Sequence, residues 1–249
     1  MIALKNAGEI RSIERAGRII AALFEEIEAK VVPGVSTAEL DRFAEQFIRS
    51  HEGAVPAFKG LYGFPGSLCT SINEEVVHGI PSKDRTLREG DIVSLDAGVK
   101  LDGWFADAAR TFPVGKVDER TASLLQVTRD ALAAGIEQAR AGNRLGDIGH
   151  AIQEVAEGAG FGVVRDLVGH GIGREPHEEP QVPNYGRPGR GLRLQAGLVI
   201  AIEPMINAGE IGVRTLADRW TVVSADGSRS AHFEQTVAIT EGGPIVLTG

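Results

Sequence analysis

The sequence contains one cysteine and no long hydrophobic run. The single cysteine, Cys69, excludes an intrachain disulfide and favours a reducing compartment. No apolar stretch approaches the roughly 20 residues that a membrane-spanning helix needs. The N-terminal residues also lack the basic segment and apolar core that are typical of a signal peptide. We therefore expect a cytoplasmic protein that does not bind a membrane.

Positive charge is scarce as well. The chain has 26 Lys and Arg against 34 Asp and Glu, a formal net charge of −8, and no basic block. This balance argues against a dedicated nucleic-acid surface. The 249 residues are 43% hydrophobic and 24% charged, which is typical of a globular protein with a substantial core. We expect a monomer.

Hydrophobic periodicity predicts helices followed by strands, and the order occurs twice. An amphipathic helix is predicted over 6–29 and ends before Pro33-Gly34. The capping box Ser36-Thr-Ala-Glu39 opens a second helix that runs to about Ser50. A long hairpin is predicted from about Asp91 to Phe112. The other predicted elements are strands at 69–73 and 76–78, helices at 119–140 and 146–157, and strands at 161–166, 198–205, 219–224 and 232–239.

Residues repeat along with the elements. The segment 87–96 matches 194–203 in its Leu, Gly, apolar and terminal acidic positions, at an offset of 107 (96 to 203). Residues 33–40 match 141–148 at an offset of 108 (33 to 141). Apolar strands preceded by glycine are common, so one match could arise by chance, but two similar offsets argue against chance. We predict an α+β fold and a single catalytic domain, 1–249, with pseudo-symmetric halves at roughly 6–113 and 118–249 that share one sheet layer.

Four carboxylates lie within or at the ends of apolar runs that predict interior strands. An unpaired carboxylate in a protein interior costs several kcal/mol. Lys and Arg are nearly absent from these runs, and Arg110 is the nearest. Bound metal is the simplest compensation, so a multinuclear metal site is the leading hypothesis. The four residues are Asp96, Asp107, Glu203 and Glu234.

The predicted hairpin brings two of these acids together. Asp102-Gly103 is a turn signal, and with the turn centred on Leu101-Asp102, Asp96 lies directly opposite Asp107. Such pairs have Cβ atoms about 4.5–5.5 Å apart, and like charges there are destabilising unless a cation lies between them. Two alternatives stay open: a carboxylate pair that shares one proton, and pairing with distant arginines.

A histidine between glycines is the fifth candidate ligand. In Gly169-His-Gly-Ile-Gly173, the glycines on both sides of His170 would allow close approach to a ligand and dihedrals that other residues resist. The alternatives are a glycine-rich loop that happens to contain histidine and a phosphate-binding loop, although the Lys-Ser/Thr of a P-loop is absent. One histidine with four carboxylates suits two ions of Mn, Fe, Co or Zn better than a structural zinc site.

In their local contexts, these five positions resemble the type I methionine aminopeptidases, in their minimal bacterial form, of the pita-bread metallopeptidase superfamily. The similarity extends from Glu9 to Leu247. It implies two pseudo-symmetric halves with a curved antiparallel sheet, helices covering the sheet, and a metal site at the centre. The matching segments are 33–41, 71–81, 169–174, 177–182 and 202–205.

The resemblance also implies a role for each site residue. Two divalent metal ions would be bound, with Asp107 and Glu234 bridging them, and a water between the metals would attack the peptide carbonyl. Glu203 would accept the proton of that water, while His78 and His177 would bind the substrate and stabilise the tetrahedral intermediate. The implied metal ligands are Asp96, Asp107, His170, Glu203 and Glu234. The implied substrate-binding residues are Leu61, Phe64, Cys69, His78, His177 and Trp220.

Three positions depart from the family pattern. Leu61 replaces a frequent Tyr in the pocket, Pro176 stands where an aromatic residue or Met is common, and Gln235 replaces a frequent His. These changes concern the shape of the pocket and the rate rather than the metal ligands. The remaining histidines have no implied role, and we assign them to the surface or to polar packing. They are His51, His150 and His232.

The implied activity is removal of the initiator methionine from new chains whose second residue is small. Its substrates would be nascent N-termini, with transient ribosome contact. One rival is a proline-directed aminopeptidase or dipeptidase, although such enzymes usually carry an additional N-terminal domain. Other rivals are a non-catalytic pita-bread binding protein and a two-metal hydrolase of another substrate.

Overall fold

A computed structural model describes residues 2–249 and contains both helix pairs that periodicity predicts. Each pair precedes the strands of its half of the chain. No helix in this range is long and apolar enough to cross a membrane. The helices are α1 (Ala7–Glu28), α2 (Thr37–Arg49), α3 (Glu119–Gln138) and α4 (Leu145–Gly158), and a short 3₁₀ turn covers Leu61–Gly63.

Fifteen strands are present in the described chain, and most are short. The first half contains β1 (Ala54–Pro56), β2 (Leu68–Ile72), β3 (Glu75–Val77), β4 (Ile92–Leu101) and β5 (Trp104–Pro113). The second half contains β6 (Gly162–Val163), β7 (Gly169–Gly171), β8 (Glu178–Val182), β9 (Val199–Ile202), β10 (Met205–Asn207), β11 (Val213–Thr215), β12 (Val222–Ser224), β13 (Ser230–His232), β14 (Glu234–Thr240) and β15 (Gly243–Val246).

One antiparallel sheet joins the two halves. Its order is β1-β4-β5-β14-β9-β7-β8, with β2 paired to β4 and β15 paired to β14. The junction is the pairing of β5 with β14, where Glu234 lies opposite Ala109. Helices α1 and α2 pack on the strands of the first half, and α3 and α4 cover the second half. The α+β class is therefore confirmed, and the sheet passes continuously between the halves.

The first two helices begin at the predicted residues. In α1, the side chain of Asn6 accepts hydrogen bonds from the N–H groups of Gly8 and Glu9, and the Glu9 carboxylate accepts from the N–H of Asn6. At the start of α2, the Glu39 carboxylate accepts from both the N–H and the hydroxyl of Ser36. These contacts satisfy N–H groups that lack partners at a helix start.

Corresponding hydrogen bonds occur in the two segments that match in sequence. The N–H of Gly34 donates to the carbonyl of Leu87 at 2.8 Å, and the N–H of Gly142 donates to the carbonyl of Leu194 at 3.0 Å. Both glycines have positive φ, +92° and +100°. Isolated β-bridges join Ser36 to Thr86 and Arg144 to Arg193. The matched residues therefore share local geometry as well as residue type.

The predicted centre of the hairpin turn is wrong by one residue, so the predicted partner of each residue is wrong by two positions. Asp102 and Gly103 both have positive φ, 51° and 79°, and Leu101 pairs with Trp104. A two-residue turn with positive φ at both central positions favours Asp-Gly at those positions, so the turn is centred on Asp102-Gly103. Asp96 consequently pairs with Ala109 rather than with Asp107.

Two predicted strands are each divided in the structure. The run 198–205 separates into β9 and β10 at Glu203-Pro204, and the run 232–239 contains β13 and β14 on either side of Phe233. At the first break the chain passes from the large sheet into a three-stranded sheet of order β13-β10-β6, and at the second it returns to the large sheet. Proline has no N–H to donate to a ladder, which accounts for the first break. Glu203 thus lies where the chain changes sheets.

Candidate metal centre and substrate pocket

All the residues predicted for the metal site and the substrate pocket line one cavity of about 540 Å³. The acids and His170 form one part of its wall, and apolar side chains form another. The predicted residues found there are Leu61, Phe64, Cys69, His78, Asp96, Asp107, His170, His177, Glu203, Trp220 and Glu234.

Strand pairing brings the carboxylates together. Ala109 pairs with Asp96 on one side and with Glu234 on the other. Asp107 lies two residues before Ala109, so its side chain points to the same face of the sheet. Because alanine is small, the acids from three adjacent strands can converge above it. Asp96 and Asp107 are diagonal neighbours across the hairpin, and they still share one face.

Glu203 joins the cluster from β9. Ile202 pairs with Gln235, which places Glu203 beside Glu234 at the adjacent position. The side-chain amide of Asn184 donates to the carbonyl of Glu203 at 3.0 Å. The backbone of Glu203 is thereby held where β9 ends.

The glycines that flank His170 have a different role from the predicted one. Neither Gly169 nor Gly171 has positive φ, and both lie in β7 rather than in a loop. A Cβ at Gly169 would lie 2.3 Å from the carbonyl oxygen of Ala201, and one at Gly171 would lie 2.3 Å from that of Glu179. Glycine is therefore required because the neighbouring strands pack closely against β7, and this packing sets the position of His170.

The contacts of His170 are those of a metal-binding imidazole. Its Nδ1 lies 2.9 Å from the carbonyl oxygen of Gly171, so this nitrogen is the donor. Nε2 then carries the lone pair, 3.5 Å from Asp107 Oδ2 and 3.5 Å from Glu203 Oε1. Burial lowers the pKa of His170. The imidazole is therefore neutral and directs an acceptor nitrogen into the acidic cluster.

The four acids of the cluster have no Lys or Arg beside them in the part of the chain that the structure describes. Burial, followed by the charge of nearby acids, raises the pKa of Asp96, Glu203 and Glu234 well above the usual carboxyl values. Burial raises the pKa of Asp107 to about 7. Within residues 2–249, no Lys or Arg nitrogen lies within 4.0 Å of these carboxylates. Bound protons or metal ions are therefore needed to compensate the negative charge of these four carboxylates.

The donor atoms fit a metal ion. Asp107, His170 and Glu234 each offer one ligand atom, and these atoms lie within 4.8 Å of one another. The buried Oδ1 of Asp96 has no hydrogen-bond partner, as expected of an oxygen that would face an ion. Carboxylate oxygens with one imidazole are a donor set that suits divalent transition metals.

An apolar pocket adjoins the acids. Phe58, Phe64 and Cys69 form a buried cluster against which Leu61 and Trp220 pack. The rings of Phe64 and Trp220 meet edge to face, 5.2 Å apart. Burial raises the pKa of the Cys69 thiol, so this cysteine is an uncharged part of the wall. The cavity therefore has an apolar wall beside the acids.

Two predicted catalytic histidines flank this pocket. His78 has positive φ, 61°, and its ring lies 6.4 Å from that of Trp220. The ring of His177 lies 4.5 Å from that of His170 and stacks with Tyr62 at 6.2 Å. Burial lowers the pKa of both His78 and His177, so both imidazoles are neutral near pH 7. Each can present an N–H to a bound substrate.

His232, which the sequence left to the surface or to polar packing, is not at the surface. It lines the cavity with 1% of its surface exposed, and its Nε2 lies 3.7 Å from Glu203 Oε2. Burial, with a smaller contribution from His78, lowers the pKa of His232 to about 3. The two-residue spacing to Glu234 could have indicated a shared face, since side chains on a strand alternate.

The departures from the family pattern lie in different surroundings. Gln235 accepts a hydrogen bond from the hydroxyl of Thr248 and points away from the acids. Pro176 is a neighbour of His177, and Leu61 packs on the apolar cluster. Sequence reasoning also missed Phe58 and Tyr62, which line the cavity. Leu61 is the departure that contacts the pocket directly.

Comparison with known proteins agrees with this fold. Residues 11–241 match metallopeptidase family M24, and the chain belongs to that family. It is a metallopeptidase, and its fold is the pita-bread fold.

Within that family the chain is similar to methionine aminopeptidases. It is 55% identical to methionine aminopeptidase of Clostridium acetobutylicum, over 100% of this chain and 99% of that protein. Identity to methionine aminopeptidase 1 of Bacillus subtilis is 52%, with the same coverage. The crystal structure of methionine aminopeptidase from Rickettsia prowazekii is 45% identical, with a TM-score of 0.98 and 100% coverage of both chains.

Proposed function

We propose that this protein is a methionine aminopeptidase that removes the initiator methionine from new polypeptides whose second residue is small. The observation that carries the proposal is the convergence of four carboxylates and His170 beside an apolar pocket. The names of the similar full-length proteins support the same activity. The free amine would lie at the acids, with the methionine side chain among the apolar residues.

Two divalent metal ions would occupy the acidic cluster. In this proposal the residues that would hold the ions are Asp96, Asp107, His170, Glu203 and Glu234. When bound, the ions supply Lewis acidity that lowers the pKa of a coordinated water and polarises the scissile carbonyl. Co, Mn, Fe and Zn all suit the donor set.

The remaining chemistry belongs to side chains of the chain itself. Glu203 accepts the proton of the attacking water and passes it to the leaving amine. His78 and His177, neutral because burial lowers their pKa, donate hydrogen bonds to the substrate and stabilise the negative charge that develops on the carbonyl oxygen.

The pocket would select methionine by shape and polarizability. Phe64 and Trp220 present aromatic surfaces, and Leu61 and Cys69 complete the apolar lining. A thioether makes favourable contacts with aromatic edges, and an unbranched side chain fits a narrow apolar space. Leu61 in place of a larger aromatic residue widens this end of the pocket.

The proposal also covers partners and organisation. Nascent N-termini would be the substrates, met in the cytoplasm during transient contact with ribosomes, because a net charge of −8 does not favour lasting attachment to RNA. The chain would act as a monomer and as one catalytic domain, with halves at roughly 6–113 and 118–249.

Two peptides test the activity. Metal-loaded protein is incubated with Met-Ala-Ser and with Ala-Pro-Ala, and the released amino acids are measured. Release of Met from the first peptide alone is expected. Cleavage of the second alone would indicate a proline-directed enzyme, and no cleavage with any of the four metals would overturn the proposal.

The substitution Asp107→Asn tests the site assignment. It removes a charged oxygen that would hold a metal ion, so metal binding and activity should be lost together. Metal content is measured by elemental analysis, and turnover with Met-Ala-Ser. Asp130→Asn, at an exposed position on α3, is the matched control and should leave both unchanged. Wild-type turnover by Asp107→Asn would refute the assignment.

A further inference from the structure

His232 is a buried histidine in the cavity wall that the proposed chemistry does not use. Both of its ring nitrogens lack a hydrogen-bond partner among the described residues. An N–H without a partner in a protein interior is unfavourable, and such groups are rare in native structures. An imidazole in this condition beside the acidic cluster therefore requires a functional explanation.

The backbone of His232 is held firmly. The hydroxyl of Thr111 accepts from the N–H of His232 at 2.8 Å and donates to its carbonyl at 2.8 Å. Ser94 Oγ lies 2.8 Å from the same hydroxyl, and His232 pairs with Met205 between β13 and β10. The attachment point of the ring is thus fixed, and only side-chain rotation can alter its contacts.

Glu203 offers the unpaired imidazole an acceptor. His232 Nε2 lies 3.7 Å from Glu203 Oε2, whereas the other carboxylate oxygen, Oε1, lies 3.5 Å from His170 Nε2. A charge-assisted N–H···O hydrogen bond is about 2.8 Å long, so a movement of about 1 Å would complete it. The carboxylate of Glu203 lies between two imidazoles, and each faces a different oxygen.

We propose that His232 is a positioning residue for Glu203, whose Oε2 accepts a hydrogen bond from His232 Nε2–H. This bond holds the carboxylate in the rotamer that directs it at the attacking water. It also satisfies the ring N–H and leaves Nδ1 as a buried acceptor, which is the less costly group to leave unpaired. The role of Glu203 rests on the proposed function, whereas the hydrogen bond itself does not.

A spectroscopic measurement tests the hydrogen bond without turnover. Protein labelled with ¹⁵N-histidine and loaded with zinc, which is diamagnetic, is studied by two-bond ¹H–¹⁵N correlation. The His232 signals are identified by their absence in His232→Gln. We expect the hydrogen on Nε2. A hydrogen on Nδ1 would overturn the proposal, since Nε2 would then have nothing to donate.

Two substitutions test the positioning role. His232→Leu removes the donor, and kcat should fall about 10- to 100-fold while KM stays within about twofold of wild type. His232→Gln keeps an N–H donor of similar reach, so kcat should recover to within about fivefold of wild type. His150→Leu, on α4, is the control and should behave as wild type. Equal losses in the Leu and Gln variants would contradict the proposal.

The metal content of the variants shows whether His232 positions Glu203 or is itself a metal ligand. Both His232 variants should bind the same number of zinc ions as wild type, measured by elemental analysis. Reduced content in both variants would make His232 a ligand and overturn the proposal. If His232→Leu does not fold, the Gln variant and the tautomer decide the matter. If wild-type protein fails to cleave Met-Ala-Ser with any metal, the proposed function fails, and the tautomer still tests the hydrogen bond.

Discussion

Gly171 determines how closely β8 can lie to β7, the strand that contains His170. A Cβ there would meet the carbonyl oxygen of Glu179 at 2.3 Å and its carbonyl carbon at 2.8 Å. Backbone atoms cannot turn aside as a flexible side chain can, so a methyl group would force the two strands apart. The adjacent His170 would move away from Asp107 and Glu203, the acids it now faces at 3.5 Å.

Gly171→Ala should therefore weaken both metal binding and the fold. We expect a loss of about 1–3 kcal/mol in the free energy of unfolding, as for other overpacked sites, measured by urea denaturation. Zinc affinity, measured by calorimetry, should fall as well. Gly242→Ala is the control, because the nearest atom to its Cβ would lie 3.7 Å away on a side chain. Unchanged stability and affinity in Gly171→Ala would contradict the packing argument.

Single residues were predictable where the evidence is local in sequence. Asp96 and Glu203 stand out because each ends an apolar run, and their half-buried positions follow from that run alone. The place of His232 in the cavity wall was not predicted, because it depends on the pairing of β13 with β10, between residues that are far apart in the chain. The purpose of the glycines around His170 likewise depends on β8 and β9, which the local sequence does not describe.

At the scale of elements, the hairpin of β4 and β5 shows how a turn controls a site. Shifting its centre by one residue changes every pair, so Asp96 meets Ala109 and Asp107 meets Gly98. The presence of the turn was predicted correctly from Asp-Gly, but its centre was not. Both acids still lie on one face of the sheet. Each partner is displaced by two residues, and side chains two residues apart on a strand point to the same face.

Gly103→Ala tests the importance of this turn. Gly103 has φ of +79°, a conformation that costs alanine about 1–2 kcal/mol. The free energy of unfolding should fall by about that amount in urea denaturation. Gly158→Ala is the matched control, since it lies in α4 with ordinary φ and no atom within 4 Å of its Cβ. That change should be neutral or stabilising by up to about 1 kcal/mol. Equal effects of the two substitutions would exclude a special role for the turn.

Long elements were predicted well, and short ones only in part: β2 and β3 lie within one residue of their predictions, whereas β7 and β8 were not predicted. The four helices have several turns of periodic apolar residues, and each ends within about two residues of its prediction. Strands β7 and β8 have three and five residues, and their existence depends on partners elsewhere in the sheet. The breaks at Pro204 and Phe233 depend on which sheet receives each strand, and an apolar pattern does not contain that information.

At the scale of the whole molecule, metal binding at the acidic cluster is coupled to the release of protons. The pKa of Asp107 is raised to about 7, and those of Asp96, Glu203 and Glu234 are raised as well. The metal-free protein therefore retains protons in the cluster at neutral pH. Metal ions must displace those protons, so the apparent metal affinity should rise as pH rises.

Calorimetry in two buffers tests this linkage. The enthalpy of zinc binding at pH 7 should differ between buffers by the released protons multiplied by the difference in ionisation enthalpy. An enthalpy that is independent of the buffer would contradict proton release. The metal-free protein should also lose stability as pH rises from about 4, the usual carboxyl value, through about 7, because raised carboxyl pKa values favour the folded state only while the groups are protonated.

The two halves contribute different parts of the site. Asp96 and Asp107 come from the first half, whereas His170, Glu203 and Glu234 come from the second. Similar offsets in the sequence predicted the correspondence of Asp96 with Glu203, and matched hydrogen bonds accompany it. The boundaries of the halves stay a prediction. The pairing of β5 with β14, which closes the site, joins residues more than a hundred positions apart and has no local signature.

Trp220 is a natural fluorescent probe of the apolar pocket. The chain has two tryptophans, and the other, Trp104, lies under the guanidinium of Arg174 at 3.7 Å, away from the cavity lining. In a Trp104→Phe variant, tryptophan fluorescence would come from Trp220 alone, whose indole packs against Phe64 and His78. A thioether or any other guest entering the pocket would displace water from this indole and shift its emission. Occupancy could then be followed optically in protein that has no catalytic turnover.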